Sequence, residues 1–136
     1  MHPALSRRKW LGAGAVLCCV IAAAIAASAW SSRRQTERIA STITGGDPAR
    51  ASEIMRHYGC GGCHTIPGIP GADGQVGPPL SGLIHRVYIG GVANNSPDHL
   101  IQWIVDPQKF SPGSAMPATG ISNAEARDVA AYLYEH

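Results

Sequence analysis

Cys60-Gly61-Gly62-Cys63-His64 is the stretch on which the reading of this chain turns. Two cysteines three positions apart are spaced to form thioether bonds with the two vinyl groups of one haem, and the adjoining His64 then reaches the iron from the proximal side. Gly61 and Gly62 leave room for a macrocycle to lie against the backbone. Rival uses of a cysteine pair each ask for something the residues around it do not offer. A structural zinc site takes four ligands, and the soluble part has no second cysteine pair or close histidine pair. A thioredoxin-like dithiol follows a strand in a βαβ setting, whereas the residues before Cys60 are helical in pattern. A plain disulfide across two residues leaves His64 without a role.

That preceding helix is predicted to start at Asp47-Pro48, an N-cap followed by Pro at the first helical position. Ala51, Ile54, Met55 and Tyr58 then share one face, and Gly59 ends it. Beyond the cysteines, residues 65–82 carry nine Gly and Pro residues, too many breakers for a helix or a central strand. Ser96-Pro97-Asp98 opens a second helix with Leu100, Ile101, Trp103 and Ile104 as its apolar side chains, closed by Pro107. Ser122 and Glu125 make a capping-box pattern, with Ile121 and Ala126 as a hydrophobic staple. They start a third helix bearing Ala126, Val129, Ala130 and Leu133 on one face. No run with strand periodicity stands out, and there is no internal repeat.

With these residues in place, residues 47–136 resemble the class I cytochrome c family. The resemblance implies an all-α cytochrome c fold, a few helices and loops wrapped around one covalently attached haem c. Gly77-Pro78-Pro79-Leu80 matches the family's loop after the proximal histidine, which implies that the Pro78 carbonyl accepts the proton of the His64 imidazole. Such a bond fixes the ring and raises its basicity as a ligand. Pro112-Gly113-Ser114-Ala115-Met116-Pro117 matches the loop that supplies the sixth ligand, Met116. Arg86, after Leu83-Ile84-His85, matches a position that pairs with a haem propionate, and Ser114 a hydroxyl near it. Trp103 falls where the family has an aromatic beside the methionine sulfur, and Tyr132 where an aromatic of the last helix crosses the first. The set implied to bind the cofactor is therefore Cys60, Cys63, His64, Met116, Pro78, Leu80, Arg86, Trp103 and Ser114, with His64 and Met116 on the metal. His85 is the rival sixth ligand. His57, His99, His2 and His136 read as surface residues, and Met1 and Met55 are poorly placed for the iron. Met55 sits one residue further from Cys60 than the matching residue in mitochondrial members, and the loop from Thr65 to Val76 is longer and richer in Pro.

The amino-terminal segment is of another kind. Leu11–Ala29 holds 19 residues without a charge, between Arg7-Arg8-Lys9 and Arg33-Arg34. Its length favours a single uncleaved transmembrane helix over the shorter apolar region of a signal peptide. Trp10 and Trp30 lie about 30 Å apart along such a helix, the separation of two membrane interfaces. Ala27-Ser28-Ala29 also fits a cleavage site, and the residues from Ser6 to Leu11 faintly resemble a twin-arginine export signal. Cys18 and Cys19 read as small apolar residues of this segment. The expected division is an anchor at 1–30, a linker at 31–46 ending in Gly45-Gly46, and the haem domain at 47–136.

Charge follows the same division. Residues 1–38 carry a net +5 and residues 39–136 a net −3, so the overall +2 describes neither part. A mildly acidic folded domain excludes nucleic acid as an expected partner. Three Trp, four Tyr and one Phe give little apolar area to a side-chain core, which a flat apolar macrocycle is expected to supplement. Histidine and methionine on one iron raise its potential and close both axial positions, which suits electron transfer and not catalysis at the metal. Residues between Arg86 and Pro117 further resemble the cytochrome c domains of subunit II of some haem-copper oxidases. The resemblances together imply a periplasmic, membrane-tethered electron carrier of bacteria, donating to a terminal oxidase or another respiratory complex. The haem subunit of a periplasmic dehydrogenase is the alternative, and a haem-based sensor the reading outside electron transfer.

Overall fold

The computed structural model describes residues 4–136, with side chains from Ala13 onward. The interfacial position expected of Trp10, and the expectations for Arg7-Arg8-Lys9, Met1 and His2, lie outside these described side chains. The chain divides after Gln35 into two compact units.

Helix α1 runs Ala4–Thr44. Its part Ala13–Thr44 holds an 18-residue stretch with a mean hydropathy of 2.1, long and apolar enough to cross a membrane, a property that membrane anchors share with signal sequences. Val16, Leu17, Val20, Ile21 and Ile25 are all exposed on it. The Arg34 guanidinium sits 5.0 Å from the centre of the Trp30 ring. The helix continues through residues 31–44, most of the stretch expected as a linker. The stretch contains no Gly or Pro before Gly45, and its hydroxyls are absorbed by the helix's own carbonyls. Ser31 and Ser32 donate to Ser28, Thr42 to Arg38 and Thr44 to Ala40. Gly45, in the left-handed region at φ 68°, ends the helix with its N–H on the Ser41 carbonyl.

The second unit, Thr36–His136, contains that last part of α1 and three further helices: α2 (Pro48–His57), α3 (Pro97–Val105) and α4 (Asn123–Glu135). The caps are those the sequence predicts. Asp47 accepts from the Ala49 N–H, Ser96 from His99, and Ser122 and Glu125 exchange both bonds of a capping box. The Glu125 carboxylate also accepts from the Tyr58 hydroxyl at 3.0 Å, joining the end of α2 to the start of α4. Helices α2 and α4 pack together through small side chains. Ala51, Ala126 and Ala130 are completely buried, which lets the two backbones approach closely.

Ala40 and Thr44, one turn apart on α1, are buried as well, so this end of the helix belongs to the domain core. Arg127 donates to the Thr44 carbonyl at 3.0 Å, and the buried Asp128 accepts from the Asp47 N–H at 2.7 Å. Arg50 Nη1 lies 3.0 Å from the other Asp128 oxygen, an ion contact out of line for a hydrogen bond. Gly46 permits this junction, because a Cβ there would lie 2.1 Å from the Arg127 carbonyl oxygen.

One short hairpin goes beyond the all-helical expectation. Strand β1 (Tyr88–Ile89) pairs antiparallel with β2 (Ala93–Asn94) around Gly90 and Gly91, both at positive φ. Two residues per strand are too few to leave a period in the sequence. Single 3₁₀ turns at Cys60–Gly62, Leu83–His85 and Pro107–Lys109 complete the unit.

Candidate haem site

Helix α2 ends at Tyr58, and Gly59 turns the chain in the left-handed region, at φ 70°, into the 3₁₀ turn that carries the two cysteines. Both Cys63 and His64 donate their N–H groups to the Cys60 carbonyl, at 3.2 and 3.0 Å. The thiols are thereby held on one tight turn with the imidazole beside them, and neither is in a disulfide. Burial pushes the Cys60 thiol above its ordinary value, so it stays protonated at neutral pH. A redox-active dithiol needs the opposite shift.

The His64 ring is fixed by its neighbours. Its Nδ1 lies 2.8 Å from the Pro78 carbonyl oxygen, which makes that nitrogen the N–H donor and leaves Nε2 with a free lone pair. Gly77 lets the loop come this close, since a Cβ on it would stand 2.2 Å from the His64 Cε1. The loop is also tied to the cysteine turn through Gly77 N–H on the Cys63 carbonyl at 2.8 Å, and Leu80 N–H on the Thr65 carbonyl at 2.9 Å. The Pro-rich segment between them folds back on itself, with Ile66 N–H on the Ala72 carbonyl and Gly74 N–H on the Gly61 carbonyl.

This packing gives one glycine of the motif a further role. Gly61 makes room for that segment, because a Cβ there would meet the Ala72 Cβ at 2.9 Å. Gly62 alone faces open space. A surface cleft of about 200 Å³ next to this segment is lined by Met55, Gly61, Gly62, Ile66, Ile69 and Ala72 among others, and includes neither His64 nor Met116.

Arg86 leaves its 3₁₀ turn with its guanidinium on the carbonyls of Pro79 and Ser81, within the loop that begins at the His64 partner. Asn95 holds that turn in place. Its amide donates to the carbonyls of Leu83 and Arg86 at 2.8 and 2.9 Å, and its oxygen accepts from the Tyr134 hydroxyl at 2.7 Å. Desolvation pushes the Tyr134 hydroxyl up to about 12, which keeps it a donor throughout the physiological range. Nothing in the sequence marks Asn95 beyond its place before a helix cap.

Met116 lies half-buried in the loop between the Pro107–Lys109 turn and α4, its N–H on the Ser114 hydroxyl at 3.3 Å. Gln108 braces this loop with three bonds that spacing alone does not predict. The Trp103 ring is tilted against Phe110, with centroids 6.1 Å apart, and its edge lies over Gly90. Met55 is fully buried under α2, and His85 is exposed. His99 and His136 hydrogen-bond the carbonyls of Asn94 and Tyr132. Among the described residues no three His, Cys, Asp or Glu side chains gather as a metal site, which disfavours zinc. The donor set fits a covalently held porphyrin instead: two thiols on one turn, an oriented imidazole with Nε2 free, and a thioether on a braced loop.

Residues 48–136 match the family model for cytochrome c. The chain is 32% identical over 102 residues to cytochrome c of Theileria annulata, covering 66% of this chain and 86% of that protein. It is 32% identical over 104 residues to cytochrome c2 of Agrobacterium tumefaciens, covering 65% and 90%. It is also 32% identical over 82 residues to cytochrome c oxidase subunit 2 of Alkalihalophilus pseudofirmus, where the match covers 60% of this chain but only 23% of the subunit. No solved structure matches. An imidazole oriented by a proline carbonyl beside a thiol pair, on a chain matched to the family over its whole haem domain, leads to one conclusion: this protein belongs to the cytochrome c family and is an electron carrier with covalently bound haem c.

Proposed function

We propose that the chain is a membrane-tethered carrier that passes single electrons to a terminal haem-copper oxidase, with residues 1–9 in the cytoplasm and the haem domain in the periplasm. Haem c, when bound, supplies reversible one-electron iron chemistry. In this reading Cys60 and Cys63 anchor the macrocycle and His64 presents Nε2 to the metal. The observation that carries the ligand reading is the 2.8 Å contact between His64 Nδ1 and the Pro78 carbonyl, which fixes tautomer and ring orientation together. Met116, on a separate loop, would hold the iron through its thioether, leaving no place for an external ligand. Arg86 and Ser114 would meet the propionates, while Leu80 and Trp103 would supply apolar cover. The apolar α1 supports the tether, and the likeness of the haem domain to part of an oxidase subunit supports the acceptor.

Two experiments test this reading. Met116→Ala should lower the reduction potential and open the iron to added imidazole; an unchanged potential refutes the ligand assignment. Membranes containing the oxidase should oxidise the reduced full-length protein rapidly. Oxidase-dependent respiration that is unchanged after deletion of the gene removes the proposed role.

A further inference from the structure

We infer that Gln108 is the positioning residue of the Met116 loop, an amide clasp that holds the thioether on the iron; this rests on Met116 being the axial ligand. Gln108 leaves the Pro107–Lys109 turn half-buried and spans the loop from inside. Its Oε1 accepts from the Gly113 N–H at 2.9 Å. Its Nε2 donates to the carbonyl oxygens of Ser114, at 2.8 Å, and Met116, at 2.9 Å. The assignment of amide oxygen and nitrogen is forced, because the loop presents one N–H on one side and two carbonyls on the other.

The loop needs such a brace. Residues 112–120 include Pro112, Gly113, Pro117 and Gly120 and form no helix or strand. Within the stretch from Ser111 to Met116, the Ser114 N–H donates to the Ser111 carbonyl and the Met116 N–H to the Ser114 hydroxyl. A thioether is a weak ligand, so its hold on a metal depends on how little the loop gains by swinging away. Gln108 ties the backbone of the ligand residue itself and that of two residues just before it. It sits on a turn anchored by the buried Pro107, which makes the clasp part of the core rather than of the loop.

Haem-loaded Gln108→Leu and Gln108→Glu test this. Leu removes all three bonds; Glu keeps the length and shape but turns the two donors into acceptors facing carbonyls. For each ferric protein, the weak red absorption band of a thioether on haem c, the affinity for imidazole and the denaturant midpoint are measured. Both variants should weaken the band and bind imidazole about tenfold more tightly or better, the order expected from losing these bonds. Their reduction potentials should fall. If wild type shows the band while both variants keep it, with unchanged imidazole affinity, the Gln108 proposal is overturned, even if the denaturant midpoint drops. If the Glu variant alone behaves as wild type, donation is not the cause and the proposal is likewise overturned. A wild-type protein without the band overturns the Met116 reading itself, and the clasp with it.

Discussion

Replacing Gly77 by Ala isolates the contact on which the site depends. Gly77 is not at positive φ, so alanine meets no backbone objection there, and the whole effect is steric. The added Cβ would stand 2.2 Å from Cε1, 2.6 Å from Nδ1 and 2.9 Å from Nε2 of His64. Ordinary carbon contacts begin at about 3.5 Å, so the ring or the loop must give way by roughly 1.3 Å. The loop has little freedom to do so, because Gly77 N–H is held by the Cys63 carbonyl and Leu80 N–H by Thr65. The imidazole moves, and a displacement of that size breaks the 2.8 Å bond to Pro78.

Losing that bond costs about 1 kcal/mol and overpacking about 1–3 kcal/mol, so the variant should lose roughly 2–4 kcal/mol of stability. A second consequence is electronic. With its Nδ1 proton no longer accepted, the imidazole is a poorer donor, the ferric state loses more than the ferrous, and the potential rises. Denaturant unfolding of the ferric holoprotein and a spectroelectrochemical titration read the two effects. Gly82→Ala is the control: Gly82 sits at φ 61° with nothing near its missing Cβ, so about 1 kcal/mol should be lost with no change in potential. A Gly77→Ala protein as stable as wild type, with the same potential, refutes the reasoning.

Asp128→Ala should destabilise the domain by about 1–3 kcal/mol, because the Asp47 N–H loses its acceptor and the buried space of the carboxylate is left unfilled, and leave the haem spectrum unchanged. Arg50→Ala, whose side chain is 63% exposed, should cost under about 1 kcal/mol in the same unfolding assay. Bonds from the Ser122 hydroxyl and backbone, then from Tyr58, hold the Glu125 carboxyl below its ordinary 4.5. A lowered folded value means that its stabilisation is complete above about pH 5 and lost as the pH falls through the folded value. Unfolding free energy should therefore drop more steeply below that range in wild type than in Glu125→Gln, and parallel profiles would contradict it. Removing residues 1–35 should leave a folded haem domain, whereas removing residues 1–46 should lower its melting temperature, since Ala40 and Thr44 leave the core; equal melting temperatures would oppose this.

The three helices of the haem domain and the motif carrying the cysteines were legible because each is a local pattern. A cap residue, a Pro at the first position, an apolar face and a closing Gly or Pro lie within one or two turns of each other. What stayed hidden depended on partners distant in the chain. The helical state of residues 31–44 goes with the burial of Ala40 and Thr44 in the domain core and with hydroxyls turned onto their own helix, while composition alone reads as a linker. The role of Gly61 emerged only with the position of Ala72, eleven residues on. The hairpin at Tyr88–Asn94 was too short to show a period, and its Gly90 serves the Trp103 ring as much as the turn.

Asn95, Arg86 and Gln108 share a physical logic, which explains why the bonds they make were not legible in the sequence. A site built from Gly- and Pro-rich loops has no ladder of backbone bonds to hold it, and its carbonyls must find donors elsewhere. Each of these side chains brings two donors to two carbonyls of one loop: Leu83 and Arg86 for Asn95, Pro79 and Ser81 for Arg86, Ser114 and Met116 for Gln108. Amide and guanidinium groups suit this because they present two donors on one rigid plane. The loop after His64 is thus tied through Arg86 to a turn fixed by Asn95, and through the Tyr134 hydroxyl to α4. The Met116 loop is tied through Gln108 to the turn after α3. The two proposed axial ligands therefore stand on separate supports, so loosening one should leave the other in place. That independence lets a substitution at Gln108 expose the metal on the methionine side while the bond from His64 to Pro78 remains intact.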